Sequence, residues 1–250
     1  LAPNIPDYAV VFHGAAFAGA TVTTINPSYT VPEVAHQLED SGARLLVTVS
    51  PFLDTAQTAA GDVEIVVIGE AEGVTPLAAL MGEPLVAQVP VDAAVDVAVL
   101  PYSSGTTGLP KGVRLTHRNL VANVDQSLAV IGCEPGEWSV GFLPFFHIFA
   151  MTVCMNVPLC NGTQVVMMPR FDLKGFLELM RRTRPNVLPA VPTLITALGK
   201  INAEQARDLD PIDVVVSGGA PLPGETRPKF AKVSKAILAE GYGLTEASPM

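Results

Sequence analysis

Short runs of apolar and β-branched residues recur along the whole chain and predict strands. Most of these runs are apolar on both faces, as strands of a helix-covered parallel sheet are. The predicted strands are residues 21–25, 44–49, 64–68, 97–101, 164–168, 187–190, 213–217 and 236–240. Segments with helical patterns separate them, and this alternation is typical of βαβ units. The pattern therefore predicts an α/β fold of mainly parallel sheets flanked by helices.

Two of the helical segments begin with capping signals. Thr30 precedes a proline and an acidic residue, Pro32 and Glu33, and Asp172 precedes residues 173–182, which end on two arginines. A hydroxyl or carboxylate before the first turn accepts hydrogen bonds from free amide groups, and proline is tolerated within that turn. We expect helices to begin at both places.

Residues 69–96 are rich in Gly, Pro and Ala and lack a clear period, so they predict a connection between two α/β halves. We expect residues 1–90 to form the first part of one large domain and residues 91–250 the second. The chain begins with Leu1 instead of Met, and Met250 directly follows a motif. We therefore expect this chain to be an incomplete piece of a longer protein.

Composition limits the classes of partner. Of the 250 residues, 49% are hydrophobic and 16% charged, which is enough apolar material for a large core. The net charge of -9 argues against a nucleic-acid partner, because such binding depends on clustered Lys and Arg. The most apolar stretch, residues 142–160, is interrupted by Pro144, His147, Asn156 and Pro158. It predicts buried core and no membrane span, with peripheral contact to a membrane as a second interpretation.

The cysteines give a weaker indication. Cys133, Cys154 and Cys160 are odd in number, sit in apolar runs and have no Cys-x-x-Cys spacing. This usage is typical of buried, reduced thiols in a reducing compartment. We expect a cytoplasmic location.

A loop rich in glycine and hydroxyl residues directly follows the predicted strand 97–101. Its glycines, Gly105, Gly108 and Gly112, permit backbone torsions and close approaches that a Cβ would block. Lys111 adds a positive charge suited to the β and γ phosphates of a nucleotide. The hydroxyls that can donate to phosphate oxygens are Ser103, Ser104, Thr106 and Thr107. A flexible surface linker is the alternative, but linkers rarely follow a hydrophobic strand so closely.

The spacing excludes an ordinary P-loop NTPase. That motif requires a glycine before the lysine and a magnesium-binding Ser or Thr after it. Here Pro110 precedes Lys111 and Gly112 follows it. The loop is predicted to be a different kind of phosphate-binding loop.

Residues 103–112, SSGTTGLPKG, resemble the signature loop of the adenylate-forming superfamily, which includes acyl-CoA synthetases, luciferases and adenylation domains of peptide synthetases. Later motifs follow in the order of that family, so the resemblance covers essentially the whole chain. Residues 1–6 and 25–30 are also similar to coumarate CoA ligases and their fatty-acyl relatives. The resemblance implies that ATP phosphates contact Ser103, Ser104, Gly105, Thr106, Thr107, Gly108 and Lys111, with Thr107 also near Mg2+ and Lys111 acting in catalysis.

Residues 143–149, LPFFHIF, are similar to the family segment whose histidine lies at the acyl pocket and gates the carboxylate site. The resemblance gives His147 a catalytic and substrate-binding role, with Phe149 and Met151 lining an apolar slot. Taken alone, a histidine in an apolar run is more often a core residue with its hydrogen bonds satisfied. The motif around His147 favours the site.

Residues 217–221, SGGAP, follow a predicted strand, and open α/β sheets bind ligands at the carboxyl ends of their strands. In the resembled family this turn lies against adenine and the acyl group. That assigns Gly219, Ala220 and Pro221 to the nucleotide, and Gly218 with Gly219 to the acyl slot. A plain Gly-Pro turn is the alternative.

Residues 241–246, GYGLTE, follow the last predicted strand and resemble the family's adenine and magnesium motif. A tyrosine offers a flat face for stacking, and a glutamate is a hard oxygen ligand for Mg2+. The implied roles are nucleotide contact for Gly241, Tyr242 and Gly243, catalytic contact with the α-phosphate for Thr245, and catalytic metal binding for Glu246. Ordinary packing of Tyr242 and a solvated Glu246 are the alternatives.

Arg170 lies where plant coumarate CoA ligases carry a lysine implicated in CoA contact. It keeps the charge of that lysine and changes its shape. Substrate contact through CoA is the hypothesis, and an ordinary surface arginine is the alternative.

The resemblance implies a two-step ligase with ATP, Mg2+ and CoA as cofactors and a small carboxylic acid as substrate. Residues 145–151 contain no anion to pair with an ammonium group, which favours a non-amino acid. An aromatic acid and a medium-to-long aliphatic acid both stay open, and the oligomeric state is undecided. A luciferase-like oxidation and a non-catalytic nucleotide-binding relative are the alternatives. In the family, a small carboxy-terminal domain carries the adenylating lysine, so we expect this piece alone to turn over negligibly.

Overall fold

The structure, a computed structural model, describes residues 1–103, 110–131 and 134–249. It divides into two compact units, Leu1–Asn119 and Leu120–Met250. Each unit contains parallel strands connected through helices, which confirms the predicted α/β class. The division into parts 1–90 and 91–250 concerns the organisation of a larger domain and stays a prediction.

The first unit contains two sheets. Its strands are β1 (Val22–Thr24), β2 (Leu45–Val49), β3 (Glu64–Ile68), β4 (Thr75–Pro76), β5 (Val97–Ser103), β6 (Lys111–Gly112) and β7 (Leu115–Thr116). Its helices are α1 (Pro6–Phe17), α2 (Val31–Ser41), α3 (Leu53–Ala59) and the start of α4 (His117–Ile131). In one sheet β1 is parallel to β5, while β6 and β7 run antiparallel to β5. In the other, β2, β3 and β4 are all parallel.

Helix α2 begins where its capping signal predicts. The Thr30 backbone N–H donates to Glu33 Oε2 at 2.7 Å, which closes a capping box. The helix ends at Gly42, whose φ of 64° is in the left-handed region that favours glycine. Its apolar face joins the core of this unit. That core contains Ile25, Val34, Leu38, Leu46, Ala56 and Ala59.

The second unit contains a pair and a triplet of parallel strands. Its strands are β8 (Trp138–Gly141), β9 (Gln164–Met167), β10 (Val187–Ala190), β11 (Val214–Ser217) and β12 (Ile237–Glu240). Its helices are α5 (Ile148–Ala150), a π-helix (Met151–Asn156), α6 (Val157–Asn161), α7 (Leu173–Thr183), α8 (Pro192–Leu198), α9 (Ala203–Ala206) and α10 (Thr226–Phe230). Strand β8 pairs with β9, and the other sheet has the order β10–β11–β12.

Helix α7 confirms the second capping prediction. The Gly175 N–H donates to Asp172 Oδ1 at 2.8 Å, so the carboxylate satisfies a free amide of the first turn. One face of the helix buries Phe176, Leu177 and Met180. Two arginines occupy its last turn, where positive charge favours the helix dipole.

The apolar stretch 142–160 is mostly core, as predicted, since every residue from Ile148 to Pro158 is buried. The prediction that the cysteines are buried holds for Cys154 and is wrong for Cys160. Cys160 is exposed because the last turn of α6 lies at the protein surface. Cys133 lies outside the described residues. Within the described ranges, every helix is too short or too polar to cross a membrane.

Candidate functional site

The two ends of the predicted phosphate loop lie side by side in the first unit. Strand β5 extends past its predicted end, and Ser103 pairs with Lys111 in an antiparallel register. The Val113 N–H donates to the Pro101 carbonyl at 2.9 Å and extends this contact. Lys111 is exposed, and its ammonium forms no ion pair within the described part of the chain. The predicted phosphate contacts Ser104, Gly105, Thr106, Thr107 and Gly108 lie outside the described residues.

Tyr102 occupies a position in this site that the sequence did not predict. Its hydroxyl donates to Asp40 Oδ2 at 2.5 Å. Its ring packs against Gly112, so closely that a Cβ on that glycine would lie 3.2 Å from two ring carbons. Desolvation and the Asp40 carboxylate both raise the pKa of the Tyr102 phenol, so it stays a donor at neutral pH. The two residues are far apart in sequence and belong to no common motif.

In the second unit, the turns that follow β11 and β12 lie next to each other. Ser217 pairs with Glu240 at the carboxyl ends of these parallel strands, and the Gly241 N–H donates to the Ser217 carbonyl at 2.8 Å. The Gly218 N–H donates to the Ala190 carbonyl at 3.0 Å, which joins the first turn to β10 as well. The predicted motifs 217–221 and 241–246 therefore share one sheet edge, where open α/β sheets bind ligands.

Ser217 adds a polar group to this edge. Its side chain is buried, and its Oγ has no hydrogen-bond partner among the described residues. Buried hydroxyls are usually hydrogen-bonded, so an orphan one at the end of a strand is a candidate ligand contact.

The third motif of this unit reaches the same edge through an aromatic contact. Phe149 is 6% exposed, and a Cβ built on Gly218 would lie 2.8 Å from its Cζ atom. Only a residue without a side chain fits this close approach. The structure thus brings Phe149 together with Gly218, as expected for two residues that border one slot.

His147 caps the short helix α5. Its Nδ1 accepts a hydrogen bond from the Phe149 N–H at 3.3 Å, which leaves Nε2 to carry the proton of the neutral ring. The residue is exposed, yet the protein around its ring lowers the pKa by desolvation. His147 is therefore neutral at pH 7 and presents a donor.

Met151 begins the π-helix and is fully buried. A π-helix is rare and frequently occurs at functional sites. Its next residue, Thr152, donates from its hydroxyl to the Ser248 carbonyl at 3.3 Å. This bond connects the π-helix, which follows Phe149 in the chain, with the residues just after the 241–246 motif. Sequence reasoning missed Thr152, because its partner is distant along the chain.

The side chains of the 241–246 motif are open to solvent. Tyr242 is 84% exposed and offers a free aromatic face. Glu246 is exposed and has no hydrogen bond or ion pair with a described residue, and Thr245 is half-buried. The backbone of the motif is fixed by the Leu244 N–H, which donates to the Pro249 carbonyl at 2.8 Å.

The remaining predicted residues lie at or near strand ends. Gly219 has a φ of 83°, in the left-handed region, and turns the chain toward exposed Ala220 and Pro221. Arg170 is exposed in the connection after β9. Strand β9 pairs with β8, so Arg170 is not on the sheet that carries the two turns.

A metal site made of protein groups alone is absent from the described residues, where no three His, Cys, Asp or Glu side chains are grouped to hold an ion. Mg2+ commonly binds through one or two carboxylates together with substrate phosphates. The single exposed carboxylate of Glu246 fits that mode of binding.

Comparisons with known proteins identify the family of this chain. The family model described as AMP-binding enzyme matches residues 1–250. The chain is 38% identical to 4-coumarate-CoA ligase 5 of Oryza sativa subsp. japonica, over 100% of this chain and 48% of that protein. It therefore spans about half the length of the curated relatives it matches.

Solved structures of similar fold are found as well. A long-chain-fatty-acid-CoA ligase from Archaeoglobus fulgidus superposes with a TM-score of 0.88 at 30% identity, covering 99% of this chain and 52% of that one. ATP-bound MatB from Rhodopseudomonas palustris superposes with a TM-score of 0.86 at 27% identity, covering 99% and 49%.

Proposed function

This chain belongs to the AMP-binding enzyme family, and from that premise we propose that it carries the nucleotide- and acid-binding part of an ATP-dependent acyl-CoA ligase. The protein would convert a carboxylic acid to an acyl-adenylate and then to a CoA thioester. Because the chain spans about half of its relatives, this activity is proposed for the whole protein.

One observation supports the proposal most strongly. Three motifs that are separated in sequence meet at one sheet edge of the second unit, through the Phe149–Gly218 contact and the Ser217–Gly241 hydrogen bond. A turn beside the buried ring of Phe149 and near the exposed Tyr242 suits a ligand with an apolar acyl end and a flat adenine end.

In the proposed first step, a carboxylate oxygen forms a bond to the α-phosphorus of ATP, and the bond from that phosphorus to the pyrophosphate oxygen breaks. The carboxylate is already a nucleophile, so no general base is needed for the attack. Catalysis then consists of positioning and charge neutralisation. We assign the leaving pyrophosphate to Lys111 with the hydroxyl loop, and the α-phosphate to Thr245.

Mg2+ would be held by Glu246, with Thr107 as a second candidate, and would neutralise charge on the phosphate oxygens. The protein groups act around it. Tyr242 is assigned the adenine face, and neutral His147 can donate from Nε2 to a carboxylate oxygen of the acid.

In the second step, the sulfur of CoA bonds to the acyl carbon, the bond between that carbon and the AMP oxygen breaks, and the thiol proton is released to solvent. Residues 145–151 offer no anion to pair with an ammonium group, so the proposed slot beside Phe149, Met151, Gly218 and Gly219 favours an apolar acid. The named relatives act on 4-coumarate and on long-chain fatty acids, so both classes stay candidates.

Arg170 is proposed to contact CoA. A cytoplasmic location stays a prediction from cysteine usage.

ATP–pyrophosphate exchange tests the proposal. The full-length product of the gene that encodes this chain is incubated with ATP, Mg2+, labelled pyrophosphate and one acid at a time from a panel of cinnamates, benzoates and fatty acids. We expect exchange with at least one apolar acid and none with amino acids. Exchange with no acid would refute the ligase assignment.

The same assay tests the site. Glu246→Ala and Lys111→Ala are each expected to lower exchange by about 100-fold, the usual scale for loss of a group that stabilises transition-state charge. Arg170→Ala should weaken CoA use and leave exchange unchanged. The 250-residue chain by itself is expected to show negligible exchange.

A further inference from the structure

Lys111 depends for its position on a very short strand pair. We define the stem as the paired residues Tyr102, Ser103, Lys111 and Gly112. Among the described residues, this register contains two residue pairs, Tyr102 with Gly112 and Ser103 with Lys111. Strand β5 is held in its sheet by β1 and β7, whereas the described part of β6 pairs with β5 alone. A pairing this short is marginally stable by itself, so the position of β6 needs further support.

Tyr102 supplies a support that reaches outside the stem. Its hydroxyl donates to Asp40 in the last turn of α2, across 62 residues of sequence, and its ring covers Gly112. A hydrogen bond to a carboxylate is stronger than one between neutral groups. The Tyr102 side chain thus connects Gly112, the residue after Lys111, with helix α2.

Helix α2 is itself firmly fixed. Val34 and Leu38 are buried in the core, and the Gln37 side chain donates to Thr23 Oγ1 at 2.8 Å and to the Thr24 carbonyl at 3.1 Å. Asp40 is therefore attached to a rigid element, which makes it a good anchor point.

Packing between α2 and the stem is incomplete. A cavity of about 110 Å³ lies between them, lined by His36 and Gln37 of α2 and by Tyr102 and Pro110. Apolar side chains do not fill this space. Asp40 lies outside the lining of the cavity, so the Tyr102–Asp40 hydrogen bond adds a polar link between the stem and α2 beside it.

We propose that Tyr102 is a positioning residue for adenylation, in which its hydrogen bond to Asp40 fixes the stem so that Lys111 meets the phosphates of ATP. This inference rests on the proposed function. Tyr102 touches no reacting atom in it and acts through the backbone of the stem.

The test compares Tyr102→Phe with the unaltered full-length protein. The variant keeps the ring over Gly112 and removes only the hydroxyl. We expect kcat/KM for ATP in pyrophosphate exchange to fall about tenfold, the scale of one hydrogen bond to a charged group, with little change in KM for the acid. In a Lys111→Ala background, Tyr102→Phe should cause no further loss, because its effect passes through that lysine.

A second readout does not depend on activity. Trypsin cleaves after lysine, so loosening of the stem should speed cleavage between Lys111 and Gly112 in Tyr102→Phe and Asp40→Ala. Asp62→Asn, which removes an exposed carboxylate elsewhere in the unit, is the matched control and should resemble the unaltered protein.

The outcomes separate the two proposals. No exchange by the unaltered protein would contradict the proposed function. Exchange by the unaltered protein with an equal kcat/KM for ATP in Tyr102→Phe would overturn the positioning role, whatever the cleavage rate. An equal loss in the presence and absence of Lys111 would also overturn it, since the effect would then be a general structural one.

Discussion

The contact between Gly218 and Phe149 makes a quantitative prediction for Gly218→Ala. The new Cβ would lie 2.8, 3.0 and 3.2 Å from three atoms of the Phe149 ring. Nonbonded carbons prefer about 3.5 Å or more, so the ring must move by about 0.5 to 1 Å. Phe149 is 6% exposed and Ile148 beside it 2%, so little free space is available for that movement.

Overpacking of this kind costs about 1–3 kcal/mol. For a protein of this size, each kcal/mol lowers the midpoint of thermal unfolding by about 2–4 °C. Gly224→Ala is the matched control, because a Cβ there meets nothing within 4 Å. It should change stability by less than about 0.5 kcal/mol.

Thermal and urea unfolding of the two variants measure the difference. Combining Gly218→Ala with Phe149→Leu should be less destabilising than the sum of the single changes, by at least about 0.5 kcal/mol, since the smaller side chain makes room. In pyrophosphate exchange, Gly218→Ala should raise KM for the acid far more than KM for ATP. Equal stability of Gly218→Ala and Gly224→Ala would refute the packing argument.

Cys154, Asp172 and His147 each have a testable effect. Burial raises the pKa of the Cys154 thiol to about 12. Iodoacetamide at pH 8 should therefore label exposed Cys160 in the native protein and label Cys154 only after unfolding. Equal labelling rates of the two cysteines in the native protein, measured by peptide mass spectrometry, would contradict the burial of Cys154. Asp172→Ala should lower the unfolding free energy by about 1 kcal/mol through loss of the α7 cap, whereas Asp172→Asn should retain it. Desolvation lowers the pKa of His147 below 6.5, so the unfolded state binds more protons than the folded state. The free energy of unfolding should therefore fall as pH drops from 6.5 through the folded pKa. His147→Gln should reduce that fall, and an identical pH profile in the variant would contradict a contribution of His147.

The strands were largely predictable because both faces of a parallel strand are apolar and its ends are marked by turn residues. The predicted strands 64–68 and 187–190 match β3 and β10 to the residue. Strand β5 runs to Ser103, past its predicted end at residue 101, because pairing with β6 extends it. Helix α1 was missed, since its run of apolar residues and alanines lacks a polar face and hence a helical period.

The candidate site was predictable as motifs and their places at strand ends, because sheet topology fixes where those ends lie. Which side chains touch across distant segments was not. The Tyr102–Asp40 bond, the Thr152–Ser248 bond and the Phe149–Gly218 contact each join residues far apart in sequence. Such contacts depend on tertiary packing, which local periodicity does not encode.

In the proposed reaction, a carboxylate oxygen of the acid attacks the α-phosphorus of ATP. To follow that oxygen, the full-length protein is given an apolar acid labelled with oxygen-18 in its carboxylate, together with ATP and CoA, and the products are analysed by mass spectrometry. We predict one labelled oxygen in AMP and none in pyrophosphate. Label in inorganic phosphate with release of ADP, or unlabelled AMP with acyl-CoA formed, would contradict the acyl-adenylate route.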